Sequence, residues 1–307
     1  MKCTAWSSYK TYLRNGEGLF MLLSKLGMKR STPDDVFLRH VYKAHFGKEL
    51  DLENPRTFNE KLQWLKLYDR NPLYNSLVDK CEVKEHVARI IGEEFIIPTL
   101  GVWTRFEEID FDALPDQFVL KCTHDSASVA ICRDKKHFDV AKARKMLTRG
   151  LRRNFYWGGR EWPYKDVKPR ILAEQYMEDA ATRELRDYKF FAFDGVVRAL
   201  FIASDRQNPK EETKFDFFDA EFRHLPFTNG HPNATRPISP PKNFELMKTL
   251  AAKLSRGIPH VRVDFYEVNG KVYFGELTFS HWSGFIPFDP EEWDYTFGSW
   301  LTLPPQS

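Results

Sequence analysis

Two runs near the end of the chain gather two carboxylates, an arginine and a hydroxyl at spacings that suit chemistry. They are Val261-Arg262-Val263-Asp264-Phe265-Tyr266 and Val272-Tyr273-Phe274-Gly275-Glu276-Leu277-Thr278. Asn269-Gly270 lies between them, a pair that favours a tight hairpin turn because both positions tolerate φ > 0. Apolar residues alternate with the others in each run. One face of the ribbon therefore packs on a core, and the other presents Arg262, Asp264, Glu276 and Thr278. The twelve-residue gap from Asp264 to Glu276 brings both carboxylates to one end of the ribbon, pointing the same way. Two carboxylates beside an arginine suit an oxygen-ligand site for Mg²⁺. The same residues also read as a solvated strand face carrying one Arg–Asp pair, since cross-strand charge pairs are common.

Other polar groups recur at strand ends. Phe118-Val119-Leu120-Lys121 is an apolar strand closed by a lysine, followed by the small polar loop Cys122-Thr123-His124-Asp125-Ser126-Ala127-Ser128. An ammonium there, with loop amides beside it, can clamp a phosphate; a lysine snorkelling from a strand end looks the same. Ala173-Glu174-Gln175-Tyr176-Met177 is an acid-led strand suited to hydroxyls and a base edge. Asp187-Tyr188-Lys189 opens a further strand with a cation, and Asp205-Arg206 follows the next one. Either cation also fits a surface ion pair of little energetic worth.

The elements that must position these groups fall into two regions. Up to about residue 103 the chain reads as helical: Thr32-Pro33-Asp34-Asp35 starts a helix through Phe46. Thr57 and Glu60 form a capping box for Phe58–Tyr68. Pro72 opens a short helix, and Asp79–Ile91 is a charged amphipathic one that stops at Gly92. From residue 104 strands dominate, at 117–122, 129–132, 171–177, 188–193 and 196–203, with Asp194-Gly195 as a tight turn. Helices are expected at 138–151 and 244–254, and residues 205–242 read as a long excursion rich in Pro, Asn and Gly.

Composition narrows the class. The chain has 307 residues, 42% hydrophobic and 29% charged, ordinary values for a globular protein. A net charge of +3 is too small to argue for nucleic acid. Residues 133–170, however, hold 13 Lys/Arg against 4 Asp/Glu, a patch that attracts phosphates, anionic polymers or an anionic membrane surface. Cys3, Cys81, Cys122 and Cys132 show no metal-ligand spacing and read as reduced thiols of a cytoplasmic protein. Leu19–Leu23 is too short to span a bilayer and lacks the features of a signal peptide. It reads as a helix packed on the domain or resting peripherally on the inner membrane.

The order of these elements resembles an ATP-grasp fold, two α+β lobes holding ATP between them, and within it the TupA-like branch named for teichuronopeptide synthesis. The resemblance is carried by Asn54-Pro55-Arg56-Thr57-Phe58-Asn59-Glu60-Lys61-Leu62-Gln63-Trp64, Asp79-Lys80, 118–124, Arg160-Glu161-Trp162, Asp187-Tyr188-Lys189, Arg262-Val263-Asp264 and Phe274-Gly275-Glu276-Leu277-Thr278-Phe279. It implies a helical region at 1–103 that contributes to the cleft, an ATP-grasp domain at 104–307, and the cofactors ATP and Mg²⁺. The implied reaction activates a carboxylate as an acyl-phosphate and joins it to an amine. By the same resemblance Lys80, Lys121, His124 and Ser126 would meet phosphates, and Glu174 and Tyr176 ribose and adenine. Asp264, Glu276 and Thr278 would hold the metal, while Arg262, Arg206 and Lys189 would serve the transferring phosphoryl group. Two departures stand out: the loop 124–128 carries no glycine, and Thr278 stands where many such enzymes have Asn.

The resemblance also implies a setting in capsule, O-antigen or wall-polymer synthesis, with a small-molecule or saccharide carboxylate and an amine as substrates. Residues 133–170, with Trp157, Trp162, Trp282 and Phe285, suit an acidic sugar, although the rings equally read as core. Asp110-Phe111-Asp112 supports a rival reading as a nucleotide-sugar glycosyltransferase, and the basic segment a non-enzymatic binder of anionic polymer.

Overall fold

The computed structural model describes residues 16–126, 128–180, 185–204 and 211–306. Five helices open it: α1 (Gly18–Lys25), α2 (Asp34–Phe46), α3 (Phe58–Tyr68), α4 (Leu73–Val78) and α5 (Glu82–Ile91). Local chemistry sets their ends. The Thr57 hydroxyl accepts from the Glu60 N–H, and the Glu60 carboxylate reaches back to the Thr57 N–H at 2.9 Å, so the expected capping box is formed. Asp79 stands just before α5 and accepts from the N–H groups of Cys81 and Glu82, where the helix dipole favours a negative group. Gly92 ends α5 at φ 116°.

Strands β1 (Thr99–Trp103), β2 (Phe118–Cys122), β3 (Val129–Cys132) and β4 (Ile171–Gln175) form an antiparallel sheet in the order β1-β4-β2-β3. The helical region up to residue 103 thus hands its last strand to this sheet. Helix α6 (Val140–Leu151) covers one face, meeting Phe118, Leu120, Cys122, Ile171 and Ala173 through Ala143 and Leu147. Alternation then aims Val119, Lys121 and Glu174 at the opposite face, with Val119 registered against Glu174. The turn α7 (Tyr156–Gly159) follows α6.

The second sheet is antiparallel in the order β11-β10-β5-β6-β7-β8. Its strands are β5 (Asp187–Phe193), β6 (Val196–Ser204), β7 (Lys214–Asp219), β8 (His224–Leu225), β10 (Val261–Val268) and β11 (Lys271–Thr278). The turn at Asn269 and Gly270 has φ 51° and 75°, as a two-residue hairpin turn of this type requires. Residues 205–242 correct the expectation of one long loop: β7, β8 and β9 (Thr228–Asn229) lie within them. Their Pro and Gly punctuation masked an alternating run in which Phe215 and Phe217 enter the core.

Both faces of this sheet are covered. One packs on α5 and α8 (Phe244–Leu254). The other packs on α3 and α9 (Glu292–Trp300) through phenylalanines 58, 191, 201, 217 and 297. At Gly298 the helices α3 and α9 come so close that a Cβ would sit 2.2 Å from the Arg56 carbonyl oxygen. The short strand β12 (Phe288–Asp289) pairs with β9. A separate apolar cluster joins α1, α2 and α3 around Phe37, Leu38 and Trp64. Among the described residues no helix is long and apolar enough to cross a membrane.

Candidate active site

A cleft of about 590 Å³ lies between the two sheets. Val119, Lys121, Val129, Ile131 and Glu174 line it from the first sheet, and Asp187, Lys189, Ala203, Tyr266 and Glu276 from the second. Val129 and Ile131 are 40% and 47% exposed. Such open aliphatic side chains on a strand face suit a flat apolar ring. Lys80, Ser126 and Tyr176 complete the part of the lining expected from the sequence.

The wall from the first sheet is cationic. Lys84 holds one Glu174 oxygen at 2.6 Å, and Lys121 holds the other in a short contact. Burial pushes the Glu174 carboxyl up, but Lys121 and Lys84 outweigh it and hold the group below the usual carboxylate range. Lys84 also donates at 2.8 Å to the Ile97 carbonyl and the Thr99 hydroxyl. Lys80 donates to the Asp125 carbonyl; burial pulls its ammonium down, and Glu276 offsets part of that. Lys84 was not read from the sequence. Its signal was the four-residue spacing from Lys80, across the start of a helix whose far face is core.

The opposite wall is built on the ribbon. Asp264 registers against Glu276 and Arg262 against Thr278, and a register shift between Asp264 and Phe265 is what brings all four to one face. Because β10 lies inside the sheet, Arg262 and Asp264 are buried, at 8% and 1% exposure. The bland reading of this face as solvated therefore does not hold for them. The Arg262 guanidinium grips Asp264 with two bonds, Nε to Oδ1 at 2.7 Å and Nη2 to Oδ2 at 2.8 Å. Lys189 donates to the same Oδ2 and lies 3.4 Å from Asp187. On the other side Arg262 Nη1 donates to His281 Nδ1 at 2.9 Å. With Nδ1 accepting, the neutral ring carries its proton on Nε2 and donates to Asn229 Oδ1 at 2.9 Å. Burial first and the Arg262 charge second push the His281 pKa well below its ordinary value. His281 thus braces the arginine from behind.

Glu276 is the half-buried carboxylate that reaches the cleft. Burial raises its pKa, but Lys80, Lys189 and Arg262 outweigh burial and bring it down to about 2. The donor set fits a hard cation. Arg262 Nη2 lies 2.8 Å from Asp264 Oδ2, 2.9 Å from Thr278 Oγ1 and 3.4 Å from Glu276 Oε1. Oxygens from three residues thus converge on one positive point. Among the described residues no group of three His, Cys, Asp or Glu side chains has metal-ligand geometry. Mg²⁺ uses one or two carboxylates and completes its shell with phosphate oxygens and water.

Other expected residues lie elsewhere. His124 is 2% exposed and its Nε2 faces the carbonyls of Gly150 and Arg153 at 3.2 and 3.0 Å. It closes the end of α6 and is not among the residues lining the cleft. The alternation of polar residues in the loop gave no warning, because the chain there turns out of strand geometry. The Asp125 carboxylate takes the Ser128 N–H at 3.1 Å and the Ser128 hydroxyl at 2.6 Å. Arg206 lies outside the described residues. Asp110 and Asp112 are exposed; Asp110 accepts from the Asp112 N–H at 3.0 Å, an ordinary loop turn away from the cleft lining.

Two α+β lobes closing on a cleft, with lysines on one wall and the Arg262–Thr278 ribbon on the other, have the architecture of the ATP-grasp fold. The model of the TupA-like ATPgrasp family matches residues 60–302, and the chain belongs to that family. No curated protein is similar enough to match. Among solved structures, the ATP-grasp ligase PsnB complexed with minimal precursor is 12% identical, with a TM-score of 0.41 over 74% of this chain and 61% of that one. The Bacillus anthracis D-alanine–D-alanine ligase complexed with ATP is 15% identical, with a TM-score of 0.38 over 66% and 53%. The D-cycloserine synthetase DcsG is 16% identical, with a TM-score of 0.42 over 74% and 70%. The chain thus spans less than two thirds of the length of the first two.

Proposed function

We propose that this protein is an ATP-dependent ligase that activates a carboxylate and joins it to an amine, with ATP in the cleft between the two sheets. The observation that carries the reading is the pairing of a lysine-lined wall with the buried Arg262–Asp264–Glu276–Thr278 face directly across from it. In this account Val129, Ile131 and Tyr176 bound the adenine, and Glu174 takes a ribose hydroxyl. Lys80, Lys84 and Lys121 balance the phosphates.

The reaction then runs in two balanced steps. A carboxylate oxygen forms a bond to the γ-phosphorus as the bond from that phosphorus to the ADP oxygen breaks. The amine nitrogen next forms a bond to the acyl carbon and loses a proton as inorganic phosphate leaves. Arg262, fixed by Asp264 and His281, offers its donors to the charge on the transferring group without having to reorganise. Lys189, held between Asp187 and Asp264, adds a second fixed positive charge. Glu276, with Asp264 and Thr278, would hold Mg²⁺, which when bound neutralises phosphate charge and fixes the phosphate chain for in-line transfer.

The family resemblance supports a finer setting. We place the protein in cell-surface polysaccharide synthesis, acting on a saccharide or small-molecule carboxylate. We place it in the cytoplasm, a reading supported by the free thiols of Cys81, Cys122 and Cys132. The test is hydroxylamine trapping: ATP, Mg²⁺ and a panel of uronates and amino acids are incubated with the protein, and hydroxamate and ADP are measured. Carboxylate-dependent hydroxamate with matching ADP is expected. ADP release that ignores the carboxylate, or none with any of the panel, would sink the ligase reading.

A further inference from the structure

A second cavity, of about 290 Å³, opens where α1 and the turn after it meet α7. Four cationic side chains belong to its wall, Lys25, Lys29, Arg30 and Arg160, together with Ser24 and Trp157, and among the described residues that wall holds no carboxylate. Arg160 is a built part of it. It is 1% exposed, adopts a left-handed backbone at φ 55°, and packs its guanidinium on Phe37 and Trp157 at 4.5 and 4.6 Å. Its Nη2 donates to the Lys29 carbonyl at 2.9 Å and faces those of Arg30 and Thr32. Its Nη1 and the Ser24 hydroxyl are buried without a hydrogen-bond partner, an unfavourable state that a bound acceptor group relieves. The nearest carboxylate to Arg160 is Asp34, 3.6 Å from Nε, and it is already engaged by the Tyr156 hydroxyl and Arg70.

The same stretch of chain connects this cavity to the catalytic wall. Gly158 and Arg160 face the cavity. Between them the Gly159 carbonyl takes Lys66 Nζ at 2.8 Å, and Lys66 also donates to the Ser283 carbonyl at 2.7 Å, two residues from His281. Glu161, the next residue, is buried; after burial itself, Lys66, Ser283 and Arg262 weigh most on its carboxyl.

We propose that this cavity binds a carboxylate-bearing small molecule with a ring face, of the uronate type, and so forms an acceptor-side subsite for the ligase. The proposal rests on the ligase reading for its role, and on the cavity alone for its ligand class. Lys29 and Arg30 supply charge at the rim, Arg160 fixed charge and a donor at the base, and Trp157 an apolar wall for the ring. The volume sits at the lower end of the range for ligand sites, which suits a single ring rather than a polymer segment.

The test is titration by ligand-observed NMR with D-glucuronate, D-glucose and inorganic phosphate, using the full chain and the double variant Lys29→Ala with Arg30→Ala. Both substituted side chains lie at the rim, and a melting curve checks that the variant folds. Glucuronate should bind the wild type, weaken as salt is added, and bind the variant at least ~10-fold more weakly; glucose should not bind. Equal binding of glucose, phosphate binding as tightly as glucuronate, or an unchanged variant would overturn the proposal. An ATP analogue is titrated alongside and should bind both proteins equally. Its failure to bind the wild type would count against the ligase reading, while the glucuronate comparison still decides the cavity.

Discussion

The two walls of the cleft carry opposite balances of charge, and the difference tells which part of a nucleotide complex each one serves. On the first-sheet side Lys84 and Lys121 hold Glu174, and Lys80 lines the same cleft. On the second-sheet side Lys189 and Arg262 are set among Asp187, Asp264 and Glu276. A triphosphate suits the first wall directly. It suits the second only with a divalent cation between them, because carboxylates repel phosphate. The walls also differ in rigidity. The second is locked by bidentate bonds and a buried histidine, whereas on the first Lys80 and Lys121 are each held by one contact and only Lys84 by three. In the proposed reaction, positioning would therefore belong to the ribbon and affinity for the nucleotide to the lysines.

The largest expected effect breaks the rigid wall. Arg262→Lys keeps the charge but loses the fork that spans Asp264 and the reach to Thr278 and His281. Turnover should fall by roughly 10²–10³ with nucleotide affinity changed far less. A matching fall in affinity would erase the division of labour. Next comes Lys121→Ala, which removes one phosphate-facing cation and leaves Glu174 with Lys84 alone. Nucleotide binding should weaken by about 10- to 100-fold, or about 1.4–2.7 kcal/mol, read by calorimetry.

A smaller effect separates the walls by pH. Glu276 sits at about 2 when folded and near the ordinary carboxylate value when unfolded. Between those values the unfolded chain binds the extra proton. The stability it contributes is full above about pH 4.5 and drains away as the pH falls toward 2. The melting temperature of the wild type should therefore converge on that of Glu276→Gln as the pH is lowered from 5 to 3; a gap that widens would contradict the assignment. The smallest effect is at Asp110→Ala, which should leave activity within about twofold, since surface changes of this kind are usually silent. A tenfold loss would revive the glycosyltransferase reading.

Much of this was legible in the sequence because period-two alternation and a turn signal act locally. Asn269-Gly270 fixed the hairpin turn and the pairing as far as Phe265 with Phe274, but a register shift between Asp264 and Phe265, which no turn signal announces, is what brings Asp264 opposite Glu276 and Arg262 opposite Thr278. The capping box at Thr57 and Glu60 is local in the same way. What escaped depends on contacts between distant segments. His281 braces Arg262 across 19 positions and Asn229 across 52. Lys84 reaches Glu174 only once the helix and sheet have packed. His124 turned to the carbonyls ending α6, a partner the loop's own residues do not announce. The burial of Arg262 and Asp264 likewise follows from β10 lying inside a six-stranded sheet, which no pattern within the ribbon reveals.

The most direct test of the two-wall account is calorimetric titration of a non-hydrolysable ATP analogue into the wild type and Glu276→Gln, each with Mg²⁺ and with EDTA. The account predicts micromolar binding to the wild type that needs Mg²⁺, and a variant whose residual binding no longer responds to the metal. Binding that is equal with and without Mg²⁺, or a variant that keeps the full metal response, would contradict it.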